Sequence, residues 1–226
     1  ERYEIPPDIV DALTGKLLGR QKSATFGALD NMGLDNFANN LQHMQDELDL
    51  DPWNKYFTIP TWMNDLIERG ALGNKTRVGV YKNVDGSRKV IDIFAGDYRP
   101  DIYKVSREVF DIFALKDPLE QFKRLKKGKS SEARFLWEYF RDIFHYCAYH
   151  LQEIAFSMED VDLALKWGFG CKYGPFEIWQ LAGWYEVLGL IDEDIKLKSS
   201  MALTPLPHWV YEHEKNTSLI SKPKEL

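Results

Sequence analysis

Gly168-Phe169-Gly170-Cys171-Lys172-Tyr173-Gly174-Pro175-Phe176-Glu177-Ile178-Trp179 decides how this chain is read. Gly168, Gly170, Gly174 and Pro175 separate two helical patterns, so the backbone here must turn sharply or pass close to another surface. Upstream, Asp162 to Trp167 predicts a short helix. Downstream, Phe176, Trp179, Leu181 and Gly183 predict a second, with Pro175 in its first turn, where a missing N–H costs nothing. The unit is a helix, a glycine-rich elbow and a helix.

The same layout occurs earlier in the chain. Val10-Asp11 corresponds to Val161-Asp162, Gly19 to Gly170, Phe26 to Phe176 and Gly33 to Gly183. From Asp to Gly the spacing is 19 − 11 = 8 and 170 − 162 = 8; from Phe to Gly it is 33 − 26 = 7 and 183 − 176 = 7. Only the elbow differs, the first being one residue longer. Pro60-Thr61-Trp62 against Pro207-His208-Trp209 supplies a further anchor in the same order. Ordered anchors at matched spacing predict an internal duplication.

Composition limits the possible functions. With 226 residues, of which 44% are hydrophobic and 14% aromatic, the chain can bury one large core or two small ones. A net charge of −6 argues against general nucleic-acid binding. Cys147 and Cys171 alone give no disulfide framework, which fits a reducing, cytoplasmic setting. No apolar run approaches the roughly 20 residues of a membrane span.

Taken in order, Pro6-Pro7-Asp8 starts a helix that Leu13 and Leu17-Leu18 carry to Gly19. Thr25 caps a helix closed by Gly33, and Asp35 can cap the next, in which Phe37, Leu41, Met44 and Leu48 share a face. Pro60 opens a short helix that stops before Gly70 and Gly73. Val78 to Phe94 then changes period, and Asp85-Gly86 between β-branched runs predicts a hairpin, which Gly96 to Pro100 leaves. Residues 101–129 read as a connector with short helices and a basic Lys123–Lys129 stretch forming a solvated face. From Ser130 a long amphipathic helix runs to about Phe156, directly before the second elbow unit.

The domain reading is therefore 1–100 for the first helical unit with its hairpin, 101–129 for the connector and 130–226 for the second unit. The counterpart of the long helix in the first unit would lie before residue 1, so the chain is expected to be a piece of a longer polypeptide.

Val161 to Trp179, VDLALKWGFGCKYGPFEIW, resembles the C-terminal helical domain of 3-hydroxyacyl-CoA dehydrogenases. Gly19 to Asp35, GRQKSATFGALDNMGLD, resembles the matching segment of the long bacterial forms, which carry this domain twice and act in fatty-acid β-oxidation. Gly73-Asn74-Lys75-Thr76 with Gly79-Val80-Tyr81 resembles the segment that closes the domain, and Arg134 to Trp137 the start of the second copy. The resemblance implies a mainly α fold: two helical domains like the C-terminal domain of 6-phosphogluconate dehydrogenase, joined by a β-hairpin and connector. It further implies an upstream Rossmann domain holding NAD and a catalytic His–Glu pair, with the helical region closing over acyl-CoA and forming dimer-like contacts.

No G-x-G-x-x-G is present, so neither NAD-binding nor catalytic residues are expected in this chain, and the piece alone is expected to be inactive. Ala133-Arg134 stands where the family has Asn-Arg. The resemblance places the first elbow at the interdomain cleft, making Lys22, Ser23, Thr25 and Phe26 the candidate substrate contacts, beside a helix N-terminus that could offer free N–H groups. Gly174-Pro175 makes the second elbow structural, and Trp167 and Trp179 read as core. No metal site is expected: His145 and His150 lie about 140° apart around a helix and cannot converge with Cys147. Glu159-Asp160 and Asp192-Glu193-Asp194 read as caps and solvated turns. A non-catalytic helical assembly module is the alternative, as is a dehydrogenase acting on a hydroxy acid without CoA. A homo-oligomer fits either way.

Overall fold

The structure is a computed structural model that describes residues 2–102 and 104–213; Glu1 and the 214–226 end of the second unit lie outside them. It is mainly helical. The helices are α1 (Pro7–Thr14), α2 (Phe26–Met32), α3 (Leu34–Glu47), α4 (Thr61–Glu68), α5 (Arg107–Phe113), α6 (Pro118–Lys126), α7 (Ser131–Ile154), α8 (Met158–Phe169), α9 (Pro175–Leu181), α10 (Trp184–Lys196) and α11 (His208–Glu212). A sheet of β1 (Tyr81–Val84), β2 (Ser87–Asp92) and β3 (Asp97–Pro100) stands between α4 and α5.

The long helix α7 is the spine. The Ser130 hydroxyl accepts from the Ala133 N–H at 3.2 Å and fixes its start. Leu136, Phe140, Phe144, Ala148 and Leu151 recur every three or four residues and are all buried. Across this stripe, Phe144 stacks on Trp179 of α9 at 5.3 Å, and Trp179 stacks on Trp184 of α10 at 4.2 Å. Leu13 of α1 belongs to the same core. A second, smaller core joins Leu34, Met63 and Leu66 to Val80, Val90 and Ile91 of the sheet region.

Several local expectations are corrected. The first helix ends at Thr14 and continues only as a 3-10 turn over 16–18, because Gly15 breaks the α-helical backbone. The hairpin carries a third strand: β3 pairs antiparallel with β2, with Val90 opposite Arg99, so Asp97–Pro100 extends the sheet rather than leaving it. Asp35 bonds Lys75 at 2.6 Å. Asp194 is not solvated but buried in the α7 core. It accepts from Trp137 Nε1 at 2.7 Å, Arg141 Nη1 at 3.1 Å and Lys126 Nζ at 2.9 Å, linking α6, α7 and α10. Lys126 therefore points inward from the basic stretch, while Lys123 and Arg124 stay exposed. Trp167, expected in the core, is 80% exposed, whereas Trp179 is fully buried.

Candidate functional site

The first elbow is built around one carboxylate. Asp11 Oδ1 accepts from the N–H groups of Thr25 and Phe26 at 3.0 and 2.6 Å, and Oδ2 accepts from Gly27 N–H at 2.9 Å and the Tyr81 hydroxyl at 2.8 Å. The N-terminus of α2 is thus filled by the chain's own side chain, and the N–H groups expected to await a ligand are already used. Burial pushes the Asp11 carboxyl above its usual range, and burial together with Asp11 raises the Tyr81 phenol. At the other end of α2, Asp30 accepts from Val80 and Tyr81 N–H, both at 2.8 Å, and burial raises its carboxyl also. Gly79 makes this clamp possible: a Cβ there would sit 2.1 Å from Asp30 Oδ1.

The second elbow repeats the construction. Asp162 Oδ1 accepts from Phe176 N–H at 2.9 Å and Oδ2 from Glu177 N–H at 3.0 Å; Pro175 has no N–H to offer. Gly19 and Gly170 have φ of 67° and 62°, and Gly33 and Gly183 have 98° and 91°. Phe26 packs edge-on to Trp62 at 5.7 Å, and Phe176 edge-on to Trp209 at 6.1 Å. The elbows also touch each other reciprocally. A Cβ on Gly19 would lie 2.9 Å from Lys172, and a Cβ on Gly170 would lie 2.6 Å from Gln21. Gln21 and Lys172 each stand two residues past those glycines. Each elbow glycine thus meets the residue that stands two past the matching glycine of the other elbow.

Between the first elbow and the sheet lies a cleft of about 570 Å³. Four cations line it: Lys22 from the elbow, Arg77 from the turn before β1, Lys82 from β1 and Arg88 from β2. Ser23, Asn31, Asn74 and Asn83 add neutral donors and acceptors. Its one carboxylate, Asp30, is held by backbone N–H groups. Arg88 stacks over the Tyr81 ring at 3.6 Å and pairs with Asp101 at 3.3 Å; Lys82 lies 3.9 Å over Tyr98. Asp101 thus offsets Arg88 in part, while Lys22, Arg77 and Lys82 have no carboxylate partner among the described residues, which suits a phosphate-bearing ligand.

The four candidate residues divide. Lys22 and Ser23 line the cleft. Thr25 and Phe26 are not among its lining residues: the Thr25 hydroxyl lies 2.7 Å from the Thr14 hydroxyl, and Phe26 packs on Trp62. Sequence reasoning missed Arg77, Lys82 and Arg88. A signal existed for one of them: Asn83 and Arg88 face each other across the predicted hairpin, so they share a side of the sheet.

The chain is similar to known proteins over part or nearly all of its length. Residues 1–83 match the model of the 3-hydroxyacyl-CoA dehydrogenase C-terminal domain. A "Probable 3-hydroxyacyl-CoA dehydrogenase" of Bacillus subtilis is 34% identical over 203 residues, covering 90% of this chain and 25% of that protein. One of the same description from Deinococcus radiodurans is 36% identical over 83 residues, covering 36% of this chain and 23% of its own length. The chain spans about a quarter of the length of these curated relatives. Its fold is similar to that of 3-hydroxybutyryl-CoA dehydrogenase from Escherichia coli K12, with a TM-score of 0.55 at 18% identity, over 94% of this chain and 55% of that one. The dehydrogenase-type helical domain thus accounts for the first elbow, and the Bacillus similarity carries on past the domain model into the second.

His145, Cys147 and His150 do not form a metal centre: no group of His, Cys, Asp or Glu among the described residues could hold one. His145 is wholly buried against Trp53, and burial brings its imidazole down to about 4. His150 lies between Asp51 at 3.1 Å and Glu153 at 3.2 Å. Among the described residues, no helix is long and apolar enough to cross a membrane.

Proposed function

We propose that this chain is the substrate-covering C-terminal region of an NAD-dependent 3-hydroxyacyl-CoA dehydrogenase of fatty-acid β-oxidation, working in the cytoplasm. The whole protein oxidises a 3-hydroxyacyl-CoA to the 3-ketoacyl-CoA. The proton and hydride steps fall to an upstream Rossmann domain carrying NAD and a His–Glu pair. The sheet described here supports that division: it is antiparallel, without the strand-to-helix crossover on which a dinucleotide pyrophosphate sits. Residues 1–100 and 130–226 are read as two copies of one helical unit joined by 101–129, the second standing to the first as a partner subunit would. The reciprocal elbow contact is the observation that favours duplication.

The observation that carries the substrate reading is the cationic cleft beside the dehydrogenase-type elbow. Lys22 and Ser23 contact the CoA phosphates together with Arg77, Lys82 and Arg88, while Thr25 and Phe26 hold the elbow in shape. In the full-length enzyme, K22A and R77Q are expected to raise KM for a 3-hydroxyacyl-CoA while leaving kcat near wild type, because a phosphate contact is made equally in ground and transition states. Removing one charge-assisted bond should cost about 1.5–3 kcal/mol, or roughly ten- to a hundredfold in kcat/KM. An unchanged KM in the double variant would refute the assignment.

A further inference from the structure

We infer that the apolar groove between the two elbows binds a straight-chain fatty acid, its tail in the groove and its carboxylate on Lys16 and Lys172. The groove encloses about 340 Å³ and shares no lining residue with the cationic cleft, so the inference stands apart from the substrate reading above. Leu17 and Leu18 of the 3-10 turn before the first elbow, Ile178 and Leu181 of α9 and Phe113 of α5 line it. Phe122, Leu125 and Phe140 are buried at its base. The Lys172 N–H donates to the Gly19 carbonyl at 2.8 Å, and this contact fixes the two elbows on either side of the slot.

Charge selects the occupant. Lys16 and Lys172 line the groove and no carboxylate does, in a chain whose net charge is −6. Neither ammonium group is ion-paired among the described residues. An apolar slot edged by two cations, Lys172 lying over the Tyr173 ring and neither facing a carboxylate, fits an apolar tail with an anionic head. At roughly 30 Å³ per heavy atom, the volume holds on the order of ten heavy atoms, which points to a medium-length chain such as decanoate. The volume lies at the lower end of small-molecule sites.

Isothermal titration of the full chain with decanoate, decanol and decyltrimethylammonium tests this. Decanoate is expected to bind saturably and about tenfold or more tighter than the other two, and the K16Q/K172Q double variant should lower its affinity to that of decanol. L181W, which fills the groove from a half-exposed position, should abolish binding. If L181W alters the far-UV spectrum, the lysine variant still gives the answer, because both lysines are exposed. Equal binding of all three amphiphiles, or no saturable binding of decanoate, overturns the inference. So does binding that survives K16Q/K172Q but is lost in R77Q, which would place the ligand in the cleft. Displacement of decanoate by decanoyl-CoA, which has a thioester in place of the carboxylate, would overturn the assignment to the free acid.

Discussion

Replacing Asp11 with alanine tests the construction of the first elbow most directly. Four donors converge on its two oxygens: the N–H groups of Thr25, Phe26 and Gly27 and the Tyr81 hydroxyl, all within 3.0 Å. At about 1 kcal/mol net for each bond, their loss costs about 4 kcal/mol. Two effects reduce this. Burial already raises the Asp11 carboxyl, so the native carboxylate carries a desolvation penalty that alanine removes. Asp11 lines a further cavity, of about 530 Å³, through which water can reach some of the freed donors. The expected net loss is about 2–3 kcal/mol, which for a chain of this size lowers Tm by roughly 4–12 °C. Thermal unfolding followed by far-UV circular dichroism reads it directly. Asn at this position keeps one acceptor oxygen and should fall between wild type and alanine. D162A removes an acceptor for two N–H groups rather than four donors, and should cost about half as much. A D11A loss below about 1 kcal/mol, or one smaller than that of D162A, would refute the view that the carboxylate organises the elbow.

Asp162 predicts a pH effect with a definite sign. Burial pushes its carboxyl from 3.8 to about 6, so between those values the folded state holds a proton that the unfolded state has released. Stability from this group is therefore full below about pH 4 and lost as pH rises through about 6. D162N lacks that component, so its stability relative to wild type should rise between pH 4 and pH 7 by denaturant unfolding; a constant difference would contradict a buried charge. G79A should be severely destabilising, by about 2–4 kcal/mol, since its Cβ would displace Asp30 from the Val80 and Tyr81 N–H groups. A midpoint in urea within error of wild type would show that the clamp can shift without loss.

The matched spacings of Asp11, Gly19, Phe26 and Gly33 with Asp162, Gly170, Phe176 and Gly183 were legible without coordinates, and so was the long helix beginning at Ser130. These are local facts: glycine at positive φ, proline in a first turn and a hydrophobic period of 3.6 act on the chain within a few residues. Beyond such range the sequence was silent. It showed Asp11 and Asp162 only as anchors of a spacing and Asp194 as part of a cap or solvated turn, because nothing local says that Asp11 reaches across 15 residues to Phe26, or that Asp194 lies against Arg141 of another helix. It likewise took Trp167 for core, since aromatic type signals a tendency to be buried but not which side of α8 finds a neighbour.

The candidate site divides in the same way. Lys22 and Ser23 were found because the elbow is a contiguous motif. Arg77, Lys82 and Arg88 were not, because they come to the cleft from a turn and two strands lying 55 to 66 residues further along the chain. Sequence alone determined the elements and their likeness, through interactions that decay within a turn or two of backbone. Tertiary structure alone decided which charges meet, because burial and distance are properties of packed surfaces and are encoded at no single position.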